Sequence, residues 1–269
     1  MSELAYVHGY QPRENERLGD QAKALEELLH SDASYPAQSS VFEVGCGVGA
    51  QTVALARRHP QARFTSIDVS PDSLAQARAR IEQAGIRNVE FRQADIFSLP
   101  FQAESFDHIF VCFVLEHLSR PVEALQILKT LLRHGGDITV IEGDHGSTYF
   151  YPESADAQAA IDCLIRLQRE SGGNSLIGRQ LYPLLIGAGF ARVRVSPRMV
   201  YVDGSRPDLA DSITLKTFTA MVEGIRGPAI TGGLISAERF DAGIQALRRT
   251  AAPEGVFCYT FFKAVGEIA

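Results

Sequence analysis

Three carboxylates stand within or just after three strand-like runs: Glu43 in Val41-Phe42-Glu43-Val44, Asp68 in Arg63-Phe64-Thr65-Ser66-Ile67-Asp68, and Asp95 after Val89-Glu90-Phe91-Arg92. The first run leads directly into Gly45-Cys46-Gly47-Val48-Gly49-Ala50. Glycine at this spacing lets the backbone turn tightly and lets a ligand approach where a Cβ would block it, while Gly49 allows the following helix to pack close to the strand. An acid about twenty residues beyond such a turn is placed to accept the two hydroxyls of a ribose. Asp95 has a choice between holding an exocyclic adenine amine, with Ile96 covering the ring, and closing an ordinary turn. Glu43 sits inside an apolar strand and needs a partner, either a ligand or a backbone group that it caps. Together these residues describe a cradle for a nucleoside.

A second group carries proton chemistry. Glu142-Gly143-Asp144-His145-Gly146-Ser147 places acids and a histidine at the expected end of another strand. His145 is the foremost base candidate, with Asp144 beside it, because an imidazole titrates near neutral pH. His117, in Phe113-Val114-Leu115-Glu116-His117, is either a base or a framing residue. Cys46, Cys112, Cys163 and Cys258 are widely spaced, with no paired cysteines or clustered histidines, so the reading is four reduced thiols and no metal centre.

The elements that must position these groups follow from periodicity. Alternating strand and helix patterns imply an α/β fold. Strand one is followed by a helix through Gln51–Arg58. Strand two is followed by a helix with Ser70 as N-cap, Pro71 as first residue and Asp72 in its first turn, which leaves Asp68 and Val69 to a ligand. Phe106–Phe113 is nearly all apolar, as a strand covered on both faces should be. Pro121 to His134 reads as a helix closed by Gly135-Gly136, and Asp137 to Glu142 as strand five. Val193–Val202 and Val256–Lys263 read as strands six and seven, separated by mainly helical material that includes 209–223 and 237–250. Tyr149, Tyr151, Tyr201 and Met221 could line a substrate roof or fill the insertion's own core. Glu14 to His30 reads as a helix, and the segment before it is rich in aromatics.

The glycine turn alone also fits the dinucleotide fingerprint of NAD(P) oxidoreductases. The wider set resembles the class I S-adenosylmethionine-dependent methyltransferases, nearest the small-molecule branch with the ubiquinone and menaquinone C-methyltransferases. The residues carrying the resemblance are Glu43-Val-Gly45-Cys-Gly47-Val-Gly49, Ile67-Asp68-Val-Ser-Pro, Ala94-Asp95-Ile96, Phe106-Asp107 through Glu116-His117-Leu, and Gly135-Gly136 ahead of Glu142, within about residues 38 to 145. The resemblance implies a Rossmann-like seven-stranded sheet in order 3-2-1-4-5-7-6, strand seven antiparallel, with helices on both faces and a helical cap. It also implies that S-adenosylmethionine is held by Glu43, Gly45, Cys46, Gly47, Gly49, Asp68, Val69, Asp95, Ile96, Phe113 and His117. A leading segment would close over it, with Tyr6, Tyr10 and Arg17 as contacts, or those side chains pack on the surface instead. The implied layout is a lid over 1–30, a cofactor core over 31–148, a cap helix over 149–178, core completion over 179–202 and 254–269, and a helical cap over 203–253.

Methyltransferases acting on nucleobase or glutamine nitrogens carry an Asn/Asp-Pro-Pro-aromatic run after strand four, whereas this chain has Cys112-Phe113-Val114-Leu115. A formal net charge of −6 argues against a polyanionic partner. With no leader or membrane-spanning run, the expectation is a cytoplasmic protein, monomeric or homodimeric, that methylates a small molecule. The rival expectations are an NAD(P)-dependent oxidoreductase and an S-adenosylmethionine-binding protein without turnover.

Overall fold

A computed structural model describes residues 25–268. Seven strands form one sheet in the order β3-β2-β1-β4-β5-β7-β6. They are β1 (Ser40–Val44), β2 (Arg63–Asp68), β3 (Val89–Gln93), β4 (Phe106–Cys112), β5 (Leu132–Tyr151), β6 (Ala191–Asp203) and β7 (Val256–Glu267). The pairs β1–β2, β1–β4, β2–β3 and β4–β5 are parallel, and β7 runs antiparallel to β5. This is the order and polarity expected from the sequence.

Local chemistry explains the elements. Val41, Phe42 and Val44 are buried, and β1 lies in register with β2 so that Glu43 is opposite Ser66. Helix α1 (Ala50–Arg58) begins after Gly49, whose left-handed torsion (φ 75°) ends the glycine turn. Helix α2 (Pro71–Gln83) starts as the sequence predicts: the Ser70 hydroxyl accepts the Ser73 N–H at 3.1 Å and Pro71 fixes the first helical φ. Helix α3 (Pro121–Leu131) is three residues shorter than expected, because Leu132 turns extended and β5 begins there. Gly136 is required on β5, since a Cβ would lie 2.7 Å from the Asp107 carbonyl oxygen. The start of β4 is tied to its neighbours by Asp107, which accepts from the Ser40 N–H at 2.7 Å and from Arg133 at 2.9 Å.

By contacts, the described residues divide into two compact units. The first comprises Glu26–Gly143, Ile177–Arg198 and the chain from Phe262 onward. Its main core joins Phe42, Val44, Ile109, Val111, Leu125, Leu128, Ile138 and Val140, all nearly or fully buried. Phe42 and Phe106 stack with centroids 4.6 Å apart. A smaller cluster under α2 holds Cys46, Leu74, Ala77, Ile81 and Phe91. The second unit comprises Asp144–Leu176 and Met199–Phe261. There α4 (Ala155–Glu170) and the helix Ala237–Arg249 bury Ala157, Ala160, Leu164, Phe240 and Leu247. Gly243 permits their close crossing, as a Cβ would meet the Asp156 carbonyl oxygen at 2.4 Å.

Two expectations change in detail, and a third is only partly described. Strand β5 runs on to Tyr151, so Glu142–Ser147 lies within a strand and not in a loop at its end. The helix expected over 209–223 is a π-helix, Ala210–Thr219, continued by an α-helix, Ala220–Gly224. Of the helix expected over Glu14–His30, residues 25–30 are helical and the rest lies outside the described residues.

Candidate functional site

Within the first unit, the parallel strands β1, β2, β3 and β4 bring Gly45–Gly49, Asp68, Asp95 and Phe113 to their carboxyl ends, the edge at which open α/β sheets hold ligands. The turn is fixed by its own hydrogen bonds: the Cys46 N–H donates to the Ile67 carbonyl and the Gly49 N–H to the Cys46 carbonyl, each at 2.9 Å. Each glycine has a distinct reason. A Cβ at Gly45 would lie 2.5 Å from Val114 Cγ2, and one at Gly49 would lie 2.9 Å from Ala77 Cβ. At Gly47 a Cβ would meet nothing within 4 Å among the described residues.

Asp68 was expected to stand free for a ligand, and this is corrected. Its Oδ2 accepts the Gly47 N–H at 2.8 Å and its Oδ1 the Ser70 N–H at 2.9 Å. Burial pushes its pKa up, against the pull of the Ser70, Gly47 and Val69 N–H groups. The carboxylate thus shapes the turn first, and only the acceptor capacity that these N–H groups leave can serve a ligand. The Val69 side chain is exposed beside it, with its carbonyl accepting from Gln93 at 3.0 Å.

Glu43 is also placed differently from the expected convergence of three acids. The residue is 2% exposed, and the Ser66 hydroxyl donates to its Oε2 at 2.6 Å. Burial raises its pKa to about 7, although Ser66 and Thr52 lower it. The carboxyl is enclosed between β2, through Ser66, and α1, through Thr52. Cys46 is similar: its side chain packs with Leu74 and Ala77, burial pushes its thiol up, and only its backbone belongs to the turn surface. Asp95 is exposed, and its Oδ1 accepts the Phe97 N–H at 2.9 Å, the pattern of a turn acid. Ile96 is buried in the main core and does not present its side chain at the surface.

After β4, Phe113 adopts a left-handed torsion (φ 58°) unusual for a bulky residue. The next two N–H groups, of Val114 and Leu115, both donate to Glu142 Oε1, at 3.0 and 2.7 Å. Glu142 is fully buried; burial pushes its pKa well above the usual range and Glu116 adds to this, while the Leu115 and Val114 N–H groups oppose it. His117 Nε2 lies 3.7 Å from Glu116 Oε1. The roles of Glu142 and Ser66 escaped the sequence reading. Ser66 was detectable in principle, as a polar residue in register with the only acid on β1.

The second unit holds the other candidates. His145 is 5% exposed, and its Nδ1 is 2.7 Å from the Tyr259 hydroxyl. Its ring meets Phe218 of the π-helix edge-on at 6.1 Å, and its N–H donates to the Ser175 carbonyl at 2.9 Å. Asp144 is buried beside it and accepts the Gly146 N–H at 3.0 Å. Tyr259 was not singled out from the sequence, because nothing in a β7 pattern marks which tyrosine faces a histidine. Tyr149 and Tyr151, expected as roof or core, are exposed, as is Tyr201 to a lesser degree. Tyr6, Tyr10 and Arg17 lie outside the described residues.

Among the described residues no group of three or more metal-ligating side chains is found, and no helix is long and apolar enough to cross a membrane. The four cysteines are free.

Residues 41–136 match the family model described as a methyltransferase domain. An uncharacterised 37.1 kDa transposon protein of Streptomyces fradiae is 31% identical over 76% of this chain and 62% of its own length. An uncharacterised methyltransferase of Schizosaccharomyces pombe is 30% identical over 56% of each chain. The chain thus spans about three fifths of these relatives. The crystal structure of the YcgJ protein from Bacillus subtilis superposes with a TM-score of 0.58 at 18% identity, covering 94% of this chain and 98% of that one, which supports the fold.

Proposed function

We propose that this chain, which belongs to the class I S-adenosylmethionine-dependent methyltransferases through its residues 41–136, transfers a methyl group from S-adenosylmethionine to a small-molecule acceptor. The observation that carries the reading is the glycine turn. Among the described residues nothing stands over Gly47, its N–H is fixed by Asp68, and the acceptor capacity left on Asp68 lies beside the exposed Val69. These residues fit an adenosine: the bare peptide admits close approach, Asp68 supplies ribose acceptors, and Asp95 and the Phe113 turn lie at the neighbouring strand ends.

When bound, the cofactor supplies an electrophilic sulfonium methyl group. The chain's own work is then to align acceptor and donor in line, and to keep water out, which accounts for a large part of the acceleration available to such a displacement. For an acceptor that must first lose a proton we propose His145 as base. Its Nδ1 is oriented by Tyr259, and Asp144 is the adjacent acid. The net charge of −6 and the Cys112-Phe113-Val114-Leu115 run favour a small molecule over nucleic acid. The four free cysteines fit a reducing compartment, and the protein is proposed to work in the cytoplasm as a monomer or homodimer.

Calorimetric titration with S-adenosylhomocysteine and with NAD, followed by transfer of labelled methyl from S-adenosylmethionine into a panel of phenols, amines and carbon acids, tests this reading. Micromolar binding of S-adenosylhomocysteine and label in one acceptor class are expected. Binding of NAD alone would return the chain to the oxidoreductases, and cofactor binding without any transfer would make it a sensor.

A further inference from the structure

The turn after β4 combines an awkward backbone with a buried carboxyl that two of its N–H groups share. Phe113 has φ 58°, a torsion that L side chains rarely adopt and that persists only where surrounding contacts enforce it. Its own N–H is tied to the Ile141 carbonyl at 2.9 Å. The two following N–H groups, of Val114 and Leu115, converge on one atom, Glu142 Oε1, at 3.0 and 2.7 Å. The second oxygen, Oε2, is buried and has no hydrogen-bond partner among the described residues. The hydrogen bonds described for this carboxyl are therefore those that hold the turn. The turn in turn shapes the glycine bend, because Val114 Cγ2 occupies the volume that a Cβ on Gly45 would take.

We infer that Glu142 is a positioning residue for cofactor binding, holding Phe113 in its left-handed conformation so that Val114 stays seated against Gly45. The inference rests on the reading of the Gly45–Gly49 turn as the cofactor cradle and adds a residue two strands away from it. The side chain acts through the backbone of 113–115 and does not itself touch a ligand. Loss of its acceptor leaves two buried N–H groups unpaired and lets Phe113 relax toward negative φ, which withdraws Val114 from the bend. Glycine at position 113 has no such preference, so the turn would then hold its shape without the clamp.

A double-mutant cycle reads this directly, with S-adenosylhomocysteine affinity and unfolding midpoint measured for wild type, Glu142→Leu, Phe113→Gly and the double variant. Glu142→Leu should weaken binding at least about tenfold in the wild-type background, the scale of a misplaced binding group, and clearly less when combined with Phe113→Gly. Glu142→Gln keeps an oxygen acceptor and should bind like wild type. An equal loss in both backgrounds, or unchanged affinity in Glu142→Leu, would overturn the inference while leaving the proposed function intact. Failure of the wild type to bind S-adenosylhomocysteine would instead overturn the proposed function, and the inference with it. Should Glu142→Leu not fold, folding of the double variant would support the clamp, and failure of both to fold would overturn it.

Discussion

The glycine-turn region and the His145 region solve the same problem, a polar group inside a protein, in different ways. Around the turn, acidic side chains hold backbone: Asp68 holds Gly47 and Ser70, and Glu142 holds Val114 and Leu115. Around His145 the ring is held by side chains, Tyr259 on its Nδ1 and Phe218 against it, while Asp144 beside it accepts one backbone N–H. A carboxylate serving backbone N–H groups fixes the shape of the main chain, so its effect reaches any ligand that the main chain contacts. An aromatic pair fixes one ring and leaves the backbone to the strand. Substitutions in the first region should therefore move stability and cofactor affinity together, and substitutions in the second should not.

The largest effect is expected from pH acting on Glu43. Its folded pKa, raised by burial to about 7, lies above the ordinary 4.5, so the native state holds a proton that the unfolded chain releases. Its contribution to stability is fully present below about pH 4.5 and is lost as pH rises through about 7, a change on the order of 3 kcal/mol. Glu43→Gln, compared with wild type by denaturant titration at pH 5 and pH 8, should gain on wild type by that order as pH rises. A parallel pH dependence of the two proteins would show that the Glu43 carboxyl does not carry this proton.

Next comes Gly49→Ala, which forces a left-handed torsion on alanine and drives a methyl to within 2.9 Å of Ala77 Cβ. A loss of about 2 to 3 kcal/mol is expected from torsion and overpacking together. Gly47→Ala has the same torsional cost but no steric neighbour among the described residues, so it should lose only about 1 kcal/mol of stability while cofactor affinity falls further. If Gly47→Ala binds S-adenosylhomocysteine as wild type does, the nucleoside does not lie over that peptide.

Asp68→Ala removes acceptors from two backbone N–H groups and should cost about 2 kcal/mol in binding, roughly thirtyfold in S-adenosylhomocysteine affinity by calorimetry. The smallest effect belongs to the other region. Tyr259→Phe takes one hydrogen bond from His145 and should lower stability by about 1 kcal/mol in thermal unfolding, with cofactor affinity unchanged. A drop in affinity comparable to that of Asp68→Ala would erase the contrast between the two regions.

The same contrast explains what could be read in the chain. The strands, the N-cap at Ser70 and the glycine bend were legible because each rests on local residue chemistry: β-branched runs, Ser-Pro-Asp, and glycine between strand and helix; the sheet order was implied only by the family resemblance. The direction in which each acid points was not legible. Glu43 looked like a ligand group until its strand register set it against Ser66, and Asp68 looked free until the Gly47 N–H was found on it. Ile96 follows Asp95 in sequence yet turns into the core. The extension of β5 through His145 was missed because Gly143 and Gly146 suggest a loop, whereas burial from Ile138 to His145 on both faces lets the strand continue without alternation. Tyr259 and Phe218 are far from His145 in sequence, and no spacing rule joins them.

The most direct test of the central claim is a crystal structure of the protein with S-adenosylhomocysteine. The account predicts the adenosine over the Gly47 peptide, with its ribose hydroxyls on Asp68 and with Glu142 still holding the Val114 and Leu115 N–H groups. A nucleoside bound away from this turn, or an Asp68 carboxylate turned away from the ribose, would contradict it.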